Sequence, residues 1–272
     1  MEWSKIKNII LLILLSLNGI LLIMVVSQEV RYRSYQAIAR REVQITLASS
    51  GVTLAGEDLP PDMDLPAVRL DQENMHTGAD QAEALLGRCQ REDESGGVRV
   101  TYSSGQGQLD SFGSGRFTAE LSPGAMPVQG ESLEEHGREV LEKLGFAGRL
   151  IERREEGEEQ ILVYCQLWQG DITIFNCQAA LIYQGDELRR IEGQRVQGTG
   201  STSRGEMITV PTLLIRFLSQ RNESGRMFSR INAITAGYRL SGSRVFMLEP
   251  VWYVETDTGS YTLSGRDGSL LS

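Results

Sequence analysis

Residues 160–196 read QILVYCQLWQGDITIFNCQAALIYQGDELRRIEGQRV. Apolar and polar residues alternate through QILVYCQLW (160–168), ITIFNCQAALIY (172–183) and ELRRIEGQRV (187–196). The QGD triplets at 169–171 and 184–186 separate them. A period of two with Gly-Asp punctuation predicts three antiparallel strands joined by short turns. The loop length sets how Cys165 and Cys177 meet. A loop of Gly170 to Ile172 puts them face to face across the hairpin, and a loop of Gly170 and Asp171 alone puts them on opposite faces. Two buried thiols and a cross-strand disulfide both stay open.

The pattern changes on either side. Upstream, Ser132 and Glu135 form a capping box, Leu133, Val140, Leu141 and Leu144 form an apolar stripe, and Gly145 ends the predicted helix. Downstream, a helix over about 210–221 starts at Thr209 with Pro211 in its first turn and turns Leu213, Leu214, Phe217 and Leu218 inward. Strands follow at 229–240, 244–256 and 260–265, so the second half reads as helix and three strands, twice. Trp252 and Tyr253 alternate within the middle strand. One belongs in the core, and the other is a candidate protein contact.

The first half repeats this order less clearly. It offers strands at 52–54 and 67–70 around Pro60 and Pro61, then a helix over 78–86 with Thr77 as N-cap and Gly87 as stop. Strands at 98–104 and 116–121 follow, separated by Gly-rich turns. The segment SPGAMPVQGES (122–132) reads as a linker. These readings predict an α+β fold of repeated helix-plus-antiparallel-meander subdomains behind an N-terminal helix. The expected division is 1–30 tip and anchor, 31–122 first outer subdomain, and 131–272 second outer subdomain.

The anchor is the run from Asn8 to Gln28, which holds no charge. Its apolar centre, Ile9 to Val26, spans roughly 27 Å of helix at ~1.5 Å per residue, close to the ~30 Å hydrocarbon core of a bilayer. A cleaved secretory signal has a shorter apolar centre, although Val25 and Ser27 would make a passable cleavage pair. Lys5 and Lys7 favour a cytoplasmic N-terminus, while Arg31, Arg33, Arg40 and Arg41 pull the charge rule the other way. Trp3, Tyr32 and Tyr35 suit the two interfaces. Ser16, Asn18 and Gly19 interrupt the aliphatic run and are candidates for a helix–helix contact inside the membrane, Asn18 as the amide and Gly19 as the point of close approach. A second helix over 33–50, ending at Gly51, continues from the anchor or bends away from it.

Composition excludes several classes. The chain has 272 residues and a net charge of −9. Residues 1–26 carry +1, so the rest carries −10, a surface that repels nucleic acid. Cys89, Cys165 and Cys177 are too few for a disulfide framework and form no CxxC motif. The two histidines, His76 and His136, lie in separate segments, and His136 next to Glu135 and Glu139 reads as solvated. No GxSxG, phosphate-binding or dinucleotide-binding glycine pattern occurs. The acidic run EEGEE (155–159) reads as an exposed turn, without the alternating ligands of a calcium loop. No catalytic residue, metal ligand or cofactor is expected. Asn222-Glu-Ser224 matches a glycosylation sequon.

MEWSKIK followed at once by an apolar run is similar to the start of YycI proteins. INAITAGY (231–238), LEPVWYVETDTGSYTL (248–263) and the Asp267-Gly268 turn resemble the shared YycH/YycI domain. LWQGDITIFNCQAALIYQGDELRRIEG (167–193) resembles the strand–turn–strand core of PepSY-like domains. The resemblance implies a single-pass protein with a cytoplasmic N-terminus and an extracytoplasmic bulk. It would be a non-enzymatic accessory to a WalK-type (YycG) membrane histidine kinase, acting with a YycH-like partner, partly through membrane helices, as a homo- or heterodimer. The four arginines near the outer boundary and the terminal SGRDGSLLS depart from that pattern. Two other readings stand beside it: an anchored PepSY-like domain that binds or inhibits a cell-envelope protease, and a secreted binding protein whose first 27 residues are removed.

Overall fold

The computed structural model describes all residues except 1, 57, 72–77, 95, 97, 204, 206, 226, 243–244 and 272, and all side chains among them except those at 2, 4–6, 9, 29, 33 and 224. His76 and Thr77 lie outside the described residues.

The apolar run and the helix expected over 33–50 form one element, α1, Glu2–Ser49. No Pro or Gly lies between Ile20 and Ser50, so nothing in the chain breaks the i to i−4 ladder. It ends where Ser50 N–H bonds back to Thr46 and Leu47 carbonyls and Gly51 takes φ 73°. The rest is mostly β. The strands are β1 (Thr53–Leu54), β2 (Ala67–Leu70), β3 (Gln90–Glu94), β4 (Arg99–Ser104), β5 (Gly107–Phe112), β6 (Arg116–Leu121), β7 (Gly148–Glu156), β8 (Glu159–Trp168), β9 (Ile172–Gln184), β10 (Glu187–Gln194), β11 (Gly200–Ser203), β12 (Arg230–Ser241), β13 (Met247–Thr256) and β14 (Gly259–Ser264). The helices α2 (Ala79–Leu86), α3 (Leu133–Lys143) and α4 (Val210–Ser224) interrupt them.

The Ser132–Glu135 capping box forms as expected, with both reciprocal bonds present. The three strands predicted in 160–196 are β8, β9 and β10. A fourth, β7, precedes them. Its sequence is too charged to alternate, because it is an edge strand paired only with β8.

All fourteen strands join one sheet, whose central path runs β11-β2-β13-β12-β9-β10-β6-β5-β4-β3. Strand β6 pairs antiparallel with β10, Arg190 opposite Glu120, so the sheet crosses the stretch read as a linker. That stretch is itself held: Val128 N–H bonds Asp186 O, and Leu188 N–H bonds Met126 O. The apolar core falls into two clusters cut differently from the expected 31–122 and 131–272. One joins Val43, Leu47 and Val68 to Trp168, Leu214, Phe217 and Trp252. The other joins Leu85, Leu109 and Phe117 to Leu141, Leu162, Leu181 and Ile191.

Strand β9 reaches both clusters, and its pairing with β8 is broken by a bulge. Gln166 pairs with Ile174, but Cys165 pairs with Gln178, so one step along β8 is answered by four along β9. The Cys165–Cys177 geometry therefore matches neither register expected from the loop. Both cysteines are buried free thiols. Cys165 Sγ–H donates to Ile174 O at 3.2 Å. Burial pushes the Cys165 thiol up to about 11 and Cys177 higher still, which keeps both in the unreactive thiol form.

Candidate functional site

Residues 10–26 of α1 expose their aliphatic side chains almost without exception. This is one helix long and apolar enough to cross a membrane. Within it, Asn18 Nδ2 donates to Leu14 O at 2.9 Å, which satisfies one of its donors inside its own helix. A Cβ at Gly19 would meet nothing within 4 Å, so that surface is open to a neighbour. At about 100° per residue, Ser16 and Gly19 share a face, and Asn18 lies about 100° round from Gly19. Ser16 and Gly19 thus offer a small-residue face, while Asn18 points well away from it, about 160° round from Ser16.

The other end of α1 is seated in the β domain. Val43 and Leu47 are each 2% exposed, in the cluster that holds α4. Burial of this size contributes about 1.5–3 kcal/mol per side chain. Polar contacts fix the seat at both ends of α4. Arg40 Nη1 donates to the carbonyls of Leu59 at 3.1 Å and Pro60 at 2.9 Å, and its Nη2 meets Asp62 Oδ2 at 3.1 Å. Asp62 Oδ1 accepts Val210 N–H at 2.7 Å, capping the first turn of α4. The expected cap, Thr209, makes no capping bond with its side chain. At the far end, Arg221 Nη1 donates to Ser50 O at 3.2 Å and lies 5.1 Å over the Phe228 ring. Arg40, Asp62 and Arg221 were missed in the sequence, where a Pro-rich loop and a helix over a hundred residues apart give no sign that they meet.

Of the two aromatics singled out on β13, Trp252 is core. It is 1% exposed and its Nε1–H donates to Ile208 O at 3.1 Å. A direct contact through Trp252 is therefore ruled out by burial. Tyr253 lies on the opposite face, half-buried and stacked on Phe175 at 4.4 Å and 11°. Gly237 of β12 makes the stack feasible, since a Cβ there would come within 2.6 Å of the Phe175 ring. Tyr253 remains the accessible one of the pair.

His136 corrects the solvated reading. It is 7% exposed, and its Nδ1 lies 2.9 Å from Tyr183 Oη. Burial holds it below the usual imidazole range, more than Glu131 and Glu139 raise it. The EEGEE run closes the β7–β8 hairpin, with Gly157 and Glu158 as the turn and the other three glutamates in the paired strand ends. Among the described residues, no group of three His, Cys, Asp or Glu is placed to hold a metal ion.

No protein-family model matches the chain, and no curated protein does. Solved structures do. The chain is similar to an uncharacterized protein from Eubacterium rectale, with 10% identity and a TM-score of 0.51, over 78% of this chain and 86% of that one. It is also similar to the C-terminal domain of YpeB from Bacillus megaterium, with 6% identity and a TM-score of 0.39, over 75% of this chain and 96% of that one. At 10% identity the likeness to the first of these is one of fold. The class defined by the fold is a largely β domain carried on one long N-terminal helix.

Proposed function

We propose that the chain is a single-pass membrane accessory protein that regulates a WalK/YycG-type sensor histidine kinase. Its N-terminus is cytoplasmic, its bulk is extracytoplasmic, and it acts with a YycH-like partner. The observation behind this reading is the unbroken helix α1, lipid-facing at one end and buried beside α4 at the other. A rod fixed in this way carries a displacement of the outer domain into the membrane, which is what a regulator of a membrane kinase needs. Ser16, Asn18 and Gly19 are its contact with the kinase helices, and Tyr253 its candidate outer contact. The regulation requires that these contacts differ between two kinase states.

A second reading, an anchored PepSY-like domain that binds or inhibits a cell-envelope protease, draws support from the uncovered sheet face. An open cleft of about 490 Å³ there is lined by Arg116, Arg154, Arg190, Asn176 and Gln178. Crosslinking in native membranes from position 18, with the captured chain identified, tests the choice. A histidine kinase supports the first reading and a peptidase the second. Release of the chain into the medium without residues 1–27 would overturn both.

A further inference from the structure

We draw no further inference here: the strongest candidate, the open cleft of about 490 Å³ on the uncovered sheet face over β6 to β10, sets Arg116, Arg154 and Arg190 beside Glu152, Glu192 and Glu120, so its charges balance and nothing in the structure shows what covers it.

Discussion

The side-chain amide of Gln166 pairs with the backbone of Val196 as a strand would, donating to its carbonyl at 2.7 Å and accepting its N–H at 2.7 Å. Asn176 does the same for Leu240, with both bonds at 2.8 Å. Both amides flank the β8–β9 bulge, where the backbone ladder is interrupted. The geometry is shared but the burial is not: Gln166 is 4% exposed and Asn176 lies on the open face. Water can replace a lost partner only at Asn176. We expect Gln166→Met to cost about 2–5 kcal/mol, from two buried backbone groups left unpaired, and Asn176→Leu about 1 kcal/mol. Denaturant unfolding of the two variants checks the ordering, and equal losses would refute it.

Arg195 places a guanidinium in the second apolar cluster, 3% exposed. Its Nη1 donates to Leu144 O, the cap carbonyl of α3, and it lies 5.3 Å over the Phe117 ring. Burial lowers its pKa to about 10, so the charge is held at neutral pH against a desolvation cost. Arg195→Met relieves that cost and keeps the packed stem, but orphans the Leu144 carbonyl. Arg195→Ala orphans the carbonyl and leaves a cavity as well. The expected losses are about 1–2 kcal/mol for Met and about 3 kcal/mol or more for Ala, read from unfolding midpoints.

What the sequence announced was local. The Ser132–Glu135 box, the Gly145 stop and the alternation of 160–196 each involve residues near one another in the chain. The bilayer-length run was likewise visible in hydropathy alone. Strands β3 and β7 were not, because QREDE and GRLIERREE are edge strands, the first exposed on both faces and the second exposed from Ile151 onward. His136 was misread against its charged neighbours, although it falls three residues after Leu133 and four before Val140, on the α3 stripe itself. The seat of α1 had no signal. Asp62 caps α4 across 148 residues, and no period or spacing encodes such a meeting.

His136 makes stability depend on pH in a definite direction. Its folded pKa lies below the ordinary imidazole value because burial disfavours the cation, with Lys143 adding to the shift and Glu131 and Glu139 opposing it. Above pH ~6.5 the ring is neutral in both states and contributes nothing. As pH falls through that value the unfolded chain binds the proton first, so stability declines until the folded-state pKa is passed. His136→Gln removes this decline, while the carboxylates common to both chains cancel in the comparison. Unfolding at pH 7.5 and 5.5 should give a larger loss for the parent than for the variant, and parallel losses would count against the assignment.

Asp62 has two partners, which separates its substitutions. One oxygen caps Val210 N–H at 2.7 Å, and the other meets Arg40 at 3.1 Å. Asp62→Asn keeps an oxygen for the cap and loses the ion pair, so it should cost about 0.2–1 kcal/mol, the range for a partly exposed pair. Asp62→Ala loses both and should cost about 1 kcal/mol more, the usual worth of an N-cap. Arg40→Ala also abandons the Leu59 and Pro60 carbonyls, and because those sites are partly open to water its loss should fall between the two. A double-mutant cycle between positions 40 and 62 isolates the charge term. All three variants should free the end of α1 from α4 before the sheet melts, so limited proteolysis after Arg41, a site all of them keep, should rise in the same order as the stability losses. Cleavage that stayed at the parent's rate while stability fell would mean that Val43 and Leu47 alone hold the helix in its seat.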